Sequence, residues 1–233
     1  MALTQSVLPS GLSVVARDPR VVPDDTNPVE SAALRGAIPR RLVEFQVGRA
    51  AARAAMIGLG ASPRSVLMGP DRVPVWPKGL TGSISHTASA CVAVVGVRRQ
   101  WAGIGVDLEE ATPLEPLLVG EVCTTSEQRW LGQQPQAERG LMSKLVFSAK
   151  EAAYKAQYTL SGQLFGFEAL ELQVDRARST FEARFMIAQG PFEAGAILQG
   201  RYAHAAGLIV TAVAIAQTGA LGIEGKIEEP PRW

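Results

Sequence analysis

The sequence contains only two cysteines, Cys91 and Cys123, among its 233 residues. They stand far apart, and their spacing matches no metal-binding motif. Cys91 lies in an apolar stretch that is typical of a strand. The pattern argues against a disulfide framework or a structural zinc site, and it predicts two buried free thiols in a cytosolic protein.

Neither sign of charge is in excess. Lys and Arg total 23, Asp and Glu total 22, and the net charge is +1, which gives no reason to expect a nucleic-acid partner. No apolar run approaches the ~20 residues that a membrane-spanning helix needs. The N-terminal segment lacks the basic and apolar regions of a signal peptide. We therefore expect a cytoplasmic protein with no membrane partner.

Hydrophobic residues make up 47% of the chain, which is enough to build a core. Apolar spacing predicts one helix over residues 40–60, ending at Gly60, and another over 143–158. Between them, Ser126 is a reasonable N-cap for a short helix. Strands are predicted at 89–97, paired through a turn with 102–109, and then as three further, largely antiparallel strands at 167–175, 179–188 and 198–216. Loops, turns and short strands are predicted at 27–39 and 61–83.

This order of elements predicts the α/β (α+β) class, with two halves that each pack a helix on a small, largely antiparallel sheet. We expect the halves to comprise residues 1–105 and 106–216. Residues 217–233 show no periodic pattern and are expected to form a loose extension.

Two carboxylates follow an apolar strand in "GIGVDLEE", residues 103–110. Side chains two apart on a strand share a face, so Asp107 and Glu109 should lie about 6.5–7 Å apart. A divalent cation between them would offset their repulsion, and oxygen ligands favour Mg²⁺, Mn²⁺ or Ca²⁺ over zinc. The alternative is an acidic strand end in solvent.

Glu151 and Lys155 lie one helical turn apart in "FSAKEAAYKA", and Lys150 and Tyr154 form the neighbouring pair. Cations beside acids suit a metal–phosphate site, because phosphate oxygens need positive charge on more than one side. An ordinary exposed Glu–Lys pair is the alternative.

Arg49 and Arg53 are four residues apart on the first predicted helix. They form either a solvated helix face or a phosphate clamp, since guanidinium groups match phosphate oxygens. His86 lies between a Ser/Gly turn and a strand, where a hydrogen-bonded structural role is the alternative to a ligand contact. We interpret His204 as structural.

Three motifs occur in order along the chain: "WPKGLTGSISH" at 76–86, "GIGVDLE" at 103–109 and "FSAKEAAYKA" at 147–156. Together they resemble the 4′-phosphopantetheinyl transferases of the surfactin- and enterobactin-synthase type. That family shows Gly-[Ile/Val]-Asp-x-Glu, followed further along by Lys-Glu-x-x-x-Lys. The segment "RVPVWP", residues 72–77, is similar to the enterobactin branch in particular.

The resemblance implies a pseudo-twofold pair of halves with the active site in the cleft between them. It also implies coenzyme A as the donor and a serine of an apo acyl, aryl or peptidyl carrier protein as the acceptor. Because a pseudo-dimeric chain needs no second subunit, we expect a monomer. The carrier's pathway stays open, although the enterobactin-like branch favours siderophore or other nonribosomal peptide assembly by analogy.

Residue roles follow from position in the family motifs. The implied ligands for Mg²⁺, or Mn²⁺, are Asp107, Glu109 and Glu151. Glu151 would also accept the serine proton, directly or through water, and Lys155 would assist the leaving oxygen. The implied coenzyme A contacts are Arg49, Arg53, Arg72, Ser85, His86, Lys150 and Lys155.

Two other functions stay open. A Mg²⁺-dependent nucleotide pyrophosphate hydrolase would use the same acids and lysines without a carrier protein. A non-catalytic module that binds coenzyme A or a carrier would not need both Glu151 and Lys155.

Overall fold

The structure is a computed structural model that describes residues 2–217. Its helices are Ala2–Gln5 (α1), Pro28–Ser31 (α2), Pro39–Gly58 (α3), Pro116–Val122 (α4), Thr125–Gly132 (α5) and Arg139–Ser161 (α6), with 3-10 turns at Ala32–Leu34 and Phe167–Ala169. Its strands are Ser13–Arg17 (β1), Leu67–Met68 (β2), Pro74–Val75 (β3), Leu80–His86 (β4), Cys91–Val97 (β5), Trp101–Glu110 (β6), Leu170–Asp175 (β7), Thr180–Phe185 (β8), Ile197–Ala205 (β9) and Leu208–Ala216 (β10). This mixture of helices and antiparallel strands agrees with the expected α/β (α+β) class.

The strands form three antiparallel sheets. The first has the order β1-β5-β4, the second has the order β6-β10-β9-β8-β7, and β2 pairs with β3 in a separate hairpin. The predicted pairing of 89–97 with 102–109 is wrong, because β1 and β4 already occupy both edges of β5. The chain instead crosses to the second sheet, where β6 pairs with β10.

Three apolar cores hold these layers together. One lies between α3 and the first sheet, and a second lies between α6 and the second sheet. The third forms where β1 and β5 meet β6 and β10, beneath the N-terminal segment that contains Val7 and Leu8. Burial of apolar surface in the third core joins the two sheets into one body.

Serine hydroxyls connect β4 to the free edge of β6. The amide of Val106 donates to Ser83 Oγ at 3.0 Å, and the amide of Leu108 donates to Ser85 Oγ at 3.3 Å. Both serines are buried. Their oxygens satisfy strand amides that would otherwise lack a partner, so β6 is fixed against the first sheet by side chains rather than by a backbone ladder.

Helix α6 approaches β6 closely because neither surface carries a large side chain at the contact. A Cβ atom on Gly105 would lie 1.8 Å from the carbonyl oxygen of Ala152, and Gly103 meets Ala156 in the same way. The facing residues of α6 are buried alanines, namely Ala149, Ala152, Ala153 and Ala156. This close approach brings the acidic end of β6 beside the helix that carries Glu151.

Two local predictions differ from the structure. The predicted strand over 198–216 is a hairpin of β9 and β10, which reverses at Ala206 and Gly207 with positive φ values of 52° and 76°. Ala-Gly is not one of the strong hairpin signals, so the sequence hides this turn. Helix α5 is capped by Thr124 rather than Ser126, through a reciprocal capping box with Glu127.

The predicted boundary between residues 105 and 106 falls inside β6, whereas the chain leaves the first sheet in the turn at 98–100. Of the predicted extension, Gln217 donates its amide to the carbonyl of Gln100 at 2.8 Å, and residues 218–233 lie outside the described part of the chain. Both cysteines are free and buried, as expected. Within residues 2–217, none of the helices is long and apolar enough to cross a bilayer.

Candidate active site

A cleft of about 560 Å³ lies between α3 and α6, and the β2–β3 hairpin and β4 complete its walls. Two acids, Glu44 and Glu151, line it. The basic side chains that line it are Arg41, Arg49, Arg72, Arg98 and Lys155, together with His86. This excess of positive charge suits a ligand that carries several phosphates.

Asp107 is a buried carboxylate on β6 beside this cleft. Its Oδ1 accepts hydrogen bonds from Lys155 Nζ at 2.6 Å and from Ser85 Oγ at 3.0 Å. Its Oδ2 is buried and has no hydrogen-bond partner among residues 2–217. Because a buried charged oxygen without a partner is costly, Oδ2 marks a position suited to a further cation or donor.

Glu109 and Glu151 form an acidic cluster with Asp107. Burial raises the pKa of Glu109, and the charge of Asp107 raises it further. Burial also raises the pKa of Glu151; Lys155 opposes this shift, whereas Asp107 and Glu109 add to it. The helix acid therefore lies within electrostatic range of both strand acids.

Two lysines of α6 pair with the two strand acids. Lys144 Nζ lies 3.2 Å from Glu109 Oε2, and Lys155 Nζ lies 2.6 Å from Asp107 Oδ1. As arranged in the described range 2–217, no three His, Cys, Asp or Glu side chains are close enough together to hold a metal ion. The ammonium groups supply the positive charge that the acids need in this arrangement.

Lys150, for which a contact with coenzyme A was expected, is buried and does not line this cleft. The side chain is 1% exposed, and its Nζ donates to the carbonyl oxygens of Val122 at 2.8 Å and Phe167 at 3.0 Å. It also lies 2.8 Å from Glu127 Oε2. An ammonium has three hydrogens, and these partners account for all three. Lys150 is therefore a structural residue that ties α5 to α6.

Ser85 also differs from its expected role. Its buried hydroxyl donates to Asp107 and accepts from the amide of Leu108, so it is committed to the β4–β6 junction. Ser85 orients an acid of the cluster and does not line the cleft.

His86 and Arg72, two of the expected coenzyme A contacts, line the cleft. His86 Nε2 lies 3.1 Å from Arg41 Nη1 and 3.4 Å from a carboxylate oxygen of Glu44. Burial lowers the pKa of His86, and Glu44 opposes this shift. The ring is therefore neutral at pH 7, so Nε2 can accept a hydrogen bond from Arg41.

The two arginines of α3 have different surroundings. Arg49 lines the cleft and lies over the ring of Phe45, with 4.3 Å between its Cζ and the ring centroid. Burial lowers the pKa of Arg49 to about 10, which leaves it cationic at neutral pH. Arg53, for which a phosphate contact was expected, pairs instead with Glu30 and Asp25 and does not line this cleft.

Arg41, Arg98 and Lys144 belong to the site although the sequence motifs did not indicate them. Arg41 precedes Arg49 by two turns of α3, and Lys144 precedes Glu151 by two turns of α6. Helical periodicity could have identified both residues. Arg98 lies in the turn after β5, where no local pattern sets it apart.

Comparisons with known proteins identify the family of the chain. Residues 29–96 match the 4′-phosphopantetheinyl transferase N-terminal domain, and residues 103–206 match the 4′-phosphopantetheinyl transferase superfamily. The 4′-phosphopantetheinyl transferase Svp of Streptomyces mobaraensis is 38% identical over 193 residues, which cover 81% of this chain and 78% of Svp.

Two further relatives extend the comparison. The 4′-phosphopantetheinyl transferase Npt of Nocardia iowensis is 28% identical over 226 residues, covering 92% of this chain and 100% of Npt. Enterobactin synthase component D of Salmonella typhi is 39% identical over 131 residues, covering 53% of this chain and 51% of that protein. The chain therefore belongs to the 4′-phosphopantetheinyl transferase superfamily, and it is an enzyme that transfers the phosphopantetheine group to carrier proteins.

Proposed function

We propose that this enzyme moves 4′-phosphopantetheine from coenzyme A to a serine of an apo acyl, aryl or peptidyl carrier protein and releases adenosine 3′,5′-bisphosphate. The observation that carries the proposal is that Asp107, Glu109 and Glu151 lie within electrostatic range of one another beside a basic cleft. Basic side chains suit the three phosphates of coenzyme A, and a carboxylate beside them suits proton removal from the serine.

The acid cluster suits Mg²⁺ or Mn²⁺. Its donors are carboxylate oxygens, and the buried Oδ2 of Asp107 has no hydrogen-bond partner among residues 2–217. Asp107, Glu109 and Glu151 would hold the ion. When bound, it would neutralise negative charge on the pyrophosphate. When the ion binds, Lys144 and Lys155 would give up their ion pairs with Glu109 and Asp107. Their long, flexible side chains would then reach phosphate oxygens.

The protein's own groups account for the remaining steps. Glu151 accepts the serine proton, and its position on α6, lining the cleft, suits it to this role. Lys155 lies beside the cluster and lines the cleft, where its ammonium can stabilise the leaving oxygen. Arg49 and Arg41 bind phosphate oxygens and fix the donor for attack in line.

Mass measurement of a carrier protein tests the proposal. With Mg²⁺, coenzyme A and an apo carrier domain, we expect the carrier to gain the mass of one phosphopantetheine group. We expect EDTA to abolish the gain and added Mg²⁺ or Mn²⁺ to restore it. Cleavage of coenzyme A without a change in carrier mass would instead indicate a pyrophosphate hydrolase. Binding without either reaction would indicate a non-catalytic module.

The two arginines of α3 should separate ligand affinity from stability. Arg49→Ala should weaken coenzyme A binding about tenfold, since a hydrogen bond to a charged group contributes about 1.5–3 kcal/mol. Turnover at saturating coenzyme A should change little. Arg53→Ala leaves Glu30 buried without its cation and should lower the free energy of unfolding by about 3–5 kcal/mol. Calorimetric titration and thermal melts measure the two effects, and unchanged affinity in Arg49→Ala would contradict its assignment.

Several broader features belong to the same proposal. The packing of α3 on one sheet and of α6 on the other fits two halves related by a pseudo-twofold axis, and a single chain that builds the whole cleft fits a monomer. Two unpaired thiols fit a reducing cytoplasm. The similarity to enterobactin synthase component D favours carriers of siderophore or other nonribosomal peptide assembly. A panel of apo carriers, compared by rate, tests that preference.

A further inference from the structure

The β2–β3 hairpin stands apart from the two larger sheets. Each strand has two residues, and the pairing joins Leu67 to Val75 and Met68 to Pro74. Isolated two-stranded hairpins are only marginally stable in water. The position of this hairpin over the cleft therefore depends on how its two ends are attached.

The base of the hairpin is firmly attached. The buried amide of Val66 donates to Glu30 Oε1 at 2.7 Å, and Asn27 Nδ2 donates to Ser65 Oγ at 2.8 Å. At the other end, Trp76 packs against the core between α3 and the first sheet. The base cannot move without breaking these contacts, so any motion is confined to the tip, residues 69–73.

The tip meets α6 through one side-chain pair. Tyr158, which lines the cleft, donates its hydroxyl hydrogen to Asp71 Oδ2 at 2.5 Å. In the described range 2–217, this is the single hydrogen bond between residues 69–73 and α6. The bond to Asp71 raises the pKa of Tyr158 to about 12, so the phenol stays a donor throughout the physiological range.

Arg72 follows Asp71 directly and has a positive φ of 62°, an uncommon conformation for a residue other than glycine. In this conformation its side chain lines the cleft, together with Val73 and Pro74. Fixing Asp71 therefore also fixes the residue that adds a cation to this wall.

We propose that the tip of the β2–β3 hairpin, residues 69–73, is a latch at the cleft and that Tyr158 and Asp71 keep it closed on coenzyme A. Both are positioning residues, because they act through the hairpin and not on the reacting atoms. Opening the latch frees the ligand, and closing it slows dissociation. This inference rests on the proposed function in one respect, namely that coenzyme A occupies the cleft.

The test compares Tyr158→Phe, Asp71→Ala and the double variant with wild type. Tyr202→Phe is a matched control, because Tyr202 lies on β9 and does not line the cleft. Titration calorimetry without a carrier gives the dissociation constant of coenzyme A. Stopped-flow displacement of a fluorescent coenzyme A analogue by excess coenzyme A gives its dissociation rate.

We expect each single variant to bind coenzyme A about three- to tenfold more weakly and to release it faster by the same factor. The double variant should be no worse than either single variant, since both remove one bond. KM for coenzyme A should rise and kcat should hold, with thermal midpoints unchanged because Tyr158 is on the surface. The latch proposal would be overturned if both single variants released coenzyme A at the wild-type rate, or if their effects on its dissociation constant added up in the double variant. A fall in kcat at constant affinity for coenzyme A would overturn it as well. Failure of the wild-type protein to bind coenzyme A would instead overturn the proposed function.

Discussion

Glu151→Gln is expected to lower kcat/KM for carrier modification by about a hundredfold to ten thousandfold, the range typical of removing a general base. Glutamine keeps the size of the side chain but cannot accept the serine proton or carry charge. Because burial and the neighbouring acids already disfavour the charged carboxylate, the fold should lose no stability. Initial rates of carrier modification, followed by mass, measure the effect.

Glu193→Gln is the matched control, since Glu193 is exposed in the loop between β8 and β9. It should modify the carrier at the wild-type rate.

Asp107→Asn should lower kcat/KM by an amount comparable to that of Glu151→Gln. The asparagine side chain can still accept the hydrogen bond from Ser85, but it no longer carries the negative charge that pairs with Lys155. Turnover near the wild-type rate in Glu151→Gln would contradict the proposed role of Glu151. The same result in Asp107→Asn would contradict the proposed role of Asp107.

Lys150→Met is expected to cause a large loss of stability. It leaves Glu127, which is 1% exposed at its side chain, without the cation that lies 2.8 Å away. Breaking a buried ion pair from one side typically costs about 3–5 kcal/mol. For a chain of this size, that corresponds to a thermal midpoint lowered by roughly 6–20 °C. Calorimetric or circular-dichroism melts measure the shift.

Two further variants identify the cause of that loss. Glu127→Gln should also be destabilising, because Lys150 then keeps its buried charge. The double variant Lys150→Met, Glu127→Gln should recover part of the loss, since neither charge remains and the glutamine side-chain oxygen can still accept a hydrogen bond from a backbone amide. The folded fraction of each variant should still bind coenzyme A with the wild-type affinity. If Lys150→Met bound coenzyme A more weakly but kept the wild-type thermal midpoint, Lys150 would instead be a ligand-binding residue.

Sequence patterns predicted the long helices α3 and α6 because their apolar residues recur over several turns. They did not predict which strands pair. A short turn after β5 is typical of a hairpin, but the partners of β5 are set by tertiary contacts with β1 and β4. Residues that are distant in the chain decide this pairing, and a local pattern contains no information about them.

The candidate site shows a similar division. Asp107, Glu109 and Glu151 were identified by their motifs, and the structure places them within electrostatic range of one another. Lys150 could not be separated from Lys155 by spacing, because both lie near Glu151 on α6. Which lysine faces the cleft depends on Glu127, which α5 contributes from outside the motif. Arg49 and Arg53 were indistinguishable for the same reason, since the partners of Arg53 come from the segment before α3.

At the junction between β4 and β6, a serine hydroxyl contributes both to the packing of the two sheets and to the orientation of the proposed catalytic acid Asp107. Ser85 Oγ is hydrogen-bonded to both the amide of Leu108 and the carboxylate of Asp107. One small side chain therefore joins β4 to β6 and orients the Asp107 carboxylate. A bulkier residue at position 85 would separate β4 from β6 and would also displace the Asp107 carboxylate. Substitutions on the outer walls of the cleft should therefore be tolerated better than substitutions at Ser85.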